Sequence, residues 1–213
     1  MKFQRSLLLG AGLLLPSVLL AELVFEQDSL SIEADWSDER VSASFAFVNE
    51  GNTVVEIQNV RTSCGCTAAK PAQTRFEPGE KGSIEAEFEI GSRQGLQRNR
   101  IQVQTNEGTY HLNLAVDIPV SWTVDNRVLV WRAHEQGATK EARIEVKDPH
   151  IVSVELPEPN GSLWKMELRE EDGAWILKAT PEEFMPHQRE AVRLRLQRQD
   201  DSDLSLNLFL RML

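Results

Sequence analysis

Apolar and polar residues alternate one by one along short stretches of the first half of the chain. These stretches are 41–48, 54–60, 84–90, 101–103 and 110–116. A period of two is typical of β-strands that bury one face and expose the other. Turn-forming residues at 49–52, 78–82 and 106–108 separate the stretches, so the pattern predicts short strands joined by turns and hairpins.

The same pattern restarts after Pro119. Its stretches are 128–131, 142–146, 152–154, 163–168, 174–177, 191–197 and 204–208. Ala191–Gln197 has some helix-forming residues, but its apolar residues alternate strictly with polar ones, so we predict a strand there. The sequence therefore predicts an all-β protein with two β-sandwich modules, residues 22–119 and 120–213.

The first 21 residues have the pattern of a secretory signal peptide. Lys2 and Arg5 precede a leucine-rich run at 7–20, and Ala21 provides a small residue before the expected cleavage site. An uncleaved membrane anchor is the alternative interpretation of this run. Cleavage predicts a periplasmic or secreted protein with no stable membrane anchor.

Charge and motif content restrict the functions that the chain can have. With 33 Asp and Glu against 23 Lys and Arg, the net charge is -10, which disfavours nucleic acid as a partner. The sequence contains no nucleophile elbow, no His-Glu-x-x-His and no phosphate-binding loop. The four histidines are scattered without metal-like spacing. We therefore predict no catalytic residues, no resident cofactor and no metal ligands.

Candidate chemistry is concentrated in the sequence Cys64-Gly65-Cys66. Two cysteines in an exported protein usually oxidise, and a ring closed over three residues would stabilise the fold by only about 1.6 kcal/mol. The pair is thus a candidate for a local disulfide, for a thiol-exchange site, or for a Cu(I) site with two sulfur ligands. The residues alone leave all three open.

Several segments around this motif resemble one bacterial family. They are Phe45–Gly51, Ile57–Thr67 with its Ser-Cys-Gly-Cys-Thr, Pro78–Glu80, and Thr105-Asn106. Together they resemble the family called domain of unknown function 1573, over about residues 40–118. The resemblance implies an immunoglobulin-like domain of the hydin type in an exported bacterial protein.

The fold expected for the whole chain is therefore two immunoglobulin-like β-sandwich modules in tandem after a signal peptide. The expected function is that of an exported, non-catalytic binding or scaffolding protein with a protein partner, since edge strands can accept another chain. The alternative is an envelope thiol-redox or Cu(I)-handling protein that uses Cys64 and Cys66.

Overall fold

The computed structural model describes residues 23–158 and 161–213, so the predicted signal peptide at 1–21 lies outside the described residues. The strands of the first half are β1 (Leu23–Phe25), β2 (Ser29–Glu33), β3 (Arg40–Asn49), β4 (Val55–Thr62), β5 (Thr67–Pro71), β6 (Arg75–Phe76), β7 (Lys81–Glu89), β8 (Gly95–Thr105) and β9 (Thr109–Ile118). Those of the second half are β10 (Trp122–Val124), β11 (Val128–Trp131), β12 (Lys140–Val146), β13 (Ile151–Glu155), β14 (Trp164–Glu171), β15 (Ala174–Pro181), β16 (Arg189–Arg198) and β17 (Asp203–Met212). Ala133–Glu135 form a short 3-10 helix. Within the described ranges, no helix has the length and apolar character needed to span a membrane.

The first nine strands form two sheets that share one core. One sheet has the strand order β1-β3-β7-β5, and the other has the order β2-β9-β8-β4-β6. All pairings are antiparallel except that of β2 with β9. The largest side chains buried between the sheets are Phe45, Phe47, Phe76, Phe88, Ile84, Ile101, Leu112 and Leu114.

The remaining strands form a second pair of sheets with a separate core. Their orders are β10-β12-β15-β14 and β11-β17-β16-β13. Trp131 is fully buried, and its ring centroid lies 6.1 Å from that of Trp164. The leucines of β16 and β17 complete this core. Both modules are therefore β-sandwiches, as the alternating pattern predicted.

Ala191–Gln197 lies within β16, and its burial alternates residue by residue, which confirms the strand prediction. The hairpin predicted at residues 49–52 is wrong. β3 pairs with β1 and β7, whereas β4 pairs with β6 and β8 in the other sheet. The turn at 49–52 therefore connects two sheets, while the turn at 106–108 does form a hairpin between β8 and β9.

One glutamine ties the two halves together. The Gln94 side-chain oxygen accepts hydrogen bonds from the backbone N–H of Ser121 (2.9 Å) and of Trp122 (3.3 Å). The amide nitrogen of Gln94 donates to the Trp122 carbonyl at 2.9 Å. The start of β10 is thus held to the β7–β8 connection of the first sandwich.

Candidate functional site

The Cys-Gly-Cys segment forms the connection between β4 and β5. Because β4 belongs to one sheet and β5 to the other, this loop crosses the side of the sandwich. The Thr62 hydroxyl, at the end of β4, lies 3.0 Å from the Cys64 carbonyl and 2.8 Å from the Thr67 carbonyl, to which it can donate. One side chain therefore connects both ends of the loop.

Backbone hydrogen bonds fix the same loop to the strands on either side. Ser63 N–H donates to the Arg100 carbonyl at 2.9 Å, and Arg100 N–H donates to the Ser63 hydroxyl at 3.0 Å. In the opposite sheet, Glu89 N–H donates to the Cys66 carbonyl at 2.9 Å. None of these contacts depends on a bond between the two sulfurs.

The two sulfurs lie 2.01 Å apart and are joined as a disulfide. Both cysteine side chains are partly exposed, and Cys66 also packs against the core. The disulfide therefore lies at the border between the surface and the core of the sandwich.

Asn99 lies beneath this disulfide. It occupies an inward-facing position of β8 and is only 6% exposed. Its Oδ1 is 2.9 Å from Cys64 Sγ and 3.8 Å from Cys66 Sγ. Its Nδ2 is buried without a hydrogen-bond partner among the described residues. Sequence analysis missed Asn99. The available signal was a polar residue in line with the buried Ile101 and Val103 on the same strand face.

A group of arginines covers the outer face of the sheet beside the loop. Arg98 and Arg100 point outward from β8, and Arg61 points outward from β4 opposite Gln102. We call these three residues the arginine face. Among the described residues, no carboxylate lies within 4.0 Å of their guanidinium groups. Three cations therefore lie on this face of the sheet without an ion pair to any described carboxylate.

A surface hollow of about 550 Å³ lies on the arginine face. Its polar lining consists of Ser29, Ser31, Ser63, Arg98, Asn99, Arg100 and Asn113. Apart from the two guanidinium groups, these side chains are uncharged hydrogen-bonding groups. Since Ser63 adjoins Cys64, the hollow borders the disulfide loop.

A family model described as "protein of unknown function (DUF1573)" matches residues 23–118. These residues belong to the DUF1573 family. The match contains the Cys-Gly-Cys loop, Asn99 and the arginine face, and it covers the first sandwich, which we now call the DUF1573 module. A comparison with curated proteins gives no match.

Solved structures resemble the chain at low identity. The YadV chaperone is 12% identical with a TM-score of 0.36, and the match covers 88% of this chain and 99% of that one. A PapD-like domain of human CEP192 is 11% identical with a TM-score of 0.39, covering 56% and 99%. The Vibrio cholerae VesB protease is 14% identical with a TM-score of 0.35, and the match covers 46% of this chain and 32% of the protease. These likenesses carry no argument about function.

The other outer face of the DUF1573 module, which we call the acidic face, carries a row of three glutamates together with Arg40 and Lys70. Glu85, Glu87 and Glu89 follow one another on the exposed side of β7. Hydrogen bonds from Ser83 and then from Ser44 hold the pKa of the Glu85 carboxyl below its ordinary value. The module thus presents carboxylates on one face and the arginine face on the other.

The remaining chemistry-bearing residues do not gather into a site. The four histidines are exposed and lie far apart in the chain, at His111, His134, His150 and His187. In the described part of the chain, no group of three or more His, Cys, Asp or Glu side chains is arranged to hold a metal ion. Trp122, Trp131 and Trp164 are buried, so these three provide core packing.

Proposed function

We propose that this protein is an exported, non-catalytic binding and scaffolding protein of the cell envelope. Its partner would be a protein that carries an acidic segment. The arginine face is the observation that carries this proposal.

Charge supports an acidic partner. The chain as a whole has a net charge of -10, yet Arg61, Arg98 and Arg100 lie together without a carboxylate partner among the described residues. Guanidinium groups bind carboxylates through two parallel hydrogen bonds, and a local patch of one charge steers an oppositely charged partner to it. The serines and Asn113 of the hollow can provide further hydrogen bonds.

Placement in the envelope rests on the predicted signal peptide, and the mass of the mature protein tests it. We expect the protein recovered from the periplasm or the medium to begin at Glu22, because Ala21 ends the predicted signal peptide. Intact-mass spectrometry measures this directly. A protein that retains residues 1–21 in the cytoplasmic fraction would contradict export.

Photo-crosslinking in cells that make the protein tests the binding surface. A photo-reactive amino acid replaces Gln102 on the arginine face, and the matched control replaces Ser42 on the acidic face. We expect a covalent adduct with one partner from position 102 and none from position 42. Arg98→Glu together with Arg100→Glu should remove the adduct, because like charges then repel the partner. Equal crosslinking from both positions, or an adduct that survives the charge reversal, would refute the arginine face as the binding surface.

The second candidate function is thiol-disulfide exchange or Cu(I) handling by Cys64 and Cys66. The partly exposed cysteines and the buried amide of Asn99 beside them favour it. Cu(I) would bind the two thiolates and so requires the reduced pair. Replacement of both cysteines by serine separates the candidates, because partner binding should persist while exchange or copper binding should disappear.

A further inference from the structure

We propose that Cys64 and Cys66 form a reversible couple that accepts electrons from a protein dithiol, and that Asn99 is the positioning residue that stabilises Cys64 as the departing thiolate. The inference rests on the second candidate function. It adds a substrate class and a third residue to that site.

In the orientation described, the Asn99 amide turns its oxygen toward a disulfide sulfur. Its oxygen lies 2.9 Å from Cys64 Sγ, but a disulfide sulfur has no hydrogen to donate. Its nitrogen, which carries two hydrogens, is buried and has no partner among the described residues. In this orientation, neither the oxygen nor the nitrogen of the buried amide makes a hydrogen bond.

The amide can be satisfied in both redox states of the pair. In the reduced state, the Cys64 thiol can donate to Oδ1. If the amide turns over about its Cβ–Cγ bond, Nδ2 faces the sulfur and can donate to a thiolate or to the disulfide. An asparagine can therefore serve both protonation states of Cys64, which an apolar side chain at this position cannot do.

The distances from Asn99 Oδ1 distinguish the two sulfurs. Asn99 is closer to Cys64 than to Cys66, so we assign Cys64 as the sulfur that leaves.

The exchange proceeds in two balanced steps. A thiolate of the partner dithiol attacks Cys66 Sγ, the Cys64–Cys66 bond breaks, and Cys64 takes the electron pair as a thiolate. The second partner thiolate then attacks the partner sulfur of the mixed disulfide and releases Cys66. The partner dithiol loses two electrons and becomes a disulfide. Its two protons go to Cys64 and Cys66, which become thiols. A lower-energy leaving thiolate accelerates the first step.

The hydrogen bonds of the loop do not require the disulfide, so the loop can keep its conformation through the redox cycle. The Thr62 hydroxyl and the backbone bonds of Ser63 and Cys66 hold it in place whether or not the sulfurs are joined. Reduction should therefore leave the positions of the cysteines nearly unchanged.

Equilibration of the mature protein with reduced and oxidised dithiothreitol, quenched by alkylation and measured by intact mass, tests the proposal. We expect the wild-type pair to be reduced reversibly without unfolding. Asn99→Leu, an apolar side chain of the same branching, should require about tenfold more reduced dithiothreitol, equivalent to about 30 mV. Thr105→Val is the control, because Thr105 is also buried and inward-facing on β8 but lies away from the sulfurs. Thr105→Val should leave the redox midpoint of the cysteine pair unchanged.

A second measurement needs no variant. In the reduced wild-type protein, peptide mapping after brief alkylation should find Cys64 labelled first, and its rate should rise at lower pH than that of Cys66. Faster labelling of Cys66 would overturn the role of Asn99, and so would an Asn99→Leu variant whose redox midpoint equals that of the wild type. Either result would leave the reversible Cys64–Cys66 couple itself intact. A wild-type pair that is reduced only on unfolding overturns the second candidate function itself. Neither result bears on the arginine face.

Discussion

Gly82→Ala is expected to destabilise the DUF1573 module by about 3 kcal/mol. A Cβ atom at Gly82 would lie 2.3 Å from Cε1 of Phe76 and 2.6 Å from Cζ of Phe47. Both rings are almost completely buried and pack edge to face with centroids 4.8 Å apart. Neither ring can move away without shifting neighbouring core side chains, because protein interiors are close-packed.

Chemical denaturation of the variant measures this loss. The matched control is Gly108→Ala, since a Cβ at Gly108 would meet no atom within 4 Å. We expect the control to change the free energy of unfolding by less than about 0.5 kcal/mol. If both variants unfold at the same denaturant concentration, the packing described around Gly82 is wrong.

Arg198→Met is expected to lower the free energy of unfolding of the second module by about 3–5 kcal/mol. The Asp148 side chain is 0% exposed, and its Oδ2 accepts hydrogen bonds from Arg198 Nε at 3.0 Å and Nη2 at 2.8 Å. His150 N–H donates to the other carboxylate oxygen at 2.9 Å. Loss of the guanidinium would leave a buried carboxylate with one oxygen unpaired, which is costly in a low-dielectric interior.

Arg195→Met is the control for this prediction. Arg195 pairs with Asp203 at 3.4 Å, but both side chains are exposed, at 56% and 42%. Exposed pairs contribute about 0–1 kcal/mol, so this variant should unfold almost as the wild type does. Equal losses from both variants, measured by the same denaturation, would show that Asp148 does not depend on Arg198.

Alternation along the chain predicted the longer strands but not their neighbours, and it missed five short ones, β1, β2, β5, β6 and β10. β3 and β4 have the same period-two pattern, and no local feature of the sequence indicates that they lie in different sheets. Gly82 illustrates the same limit. Sequence analysis placed it in a turn, but β7 begins at Lys81, and the need for glycine comes from rings supplied by β3 and β6.

The candidate site was predictable only where a local motif marked it. The spacing of Cys64 and Cys66 pointed to the loop directly. Asn99 comes 33 residues after Cys66 and reaches the sulfurs only through the pairing of β4 with β8. The same pairing places Arg61 beside the arginines of β8. Contacts set by strand register cannot be derived from a single sequence, because a shift of one residue would turn each side chain to the other face.

We expect the arginine face to bind an acidic segment of a protein partner. Titration of the mature protein with a fluorescently labelled, glutamate-rich peptide tests it most directly. We compare the wild type with three variants: Arg98→Glu with Arg100→Glu, Cys64→Ser with Cys66→Ser, and Arg189→Glu with Arg193→Glu. The last pair is the charge-matched control, since both arginines are exposed on β16 of the second module.

We expect binding by the wild type that weakens with rising salt, because exposed charges are screened. Reversal of Arg98 and Arg100 should reduce the affinity at least about tenfold, which corresponds to about 1.4 kcal/mol. The serine variant and the control on β16 should bind as the wild type does. Undiminished binding after reversal of Arg98 and Arg100, or an equal loss in the β16 control, would contradict the account.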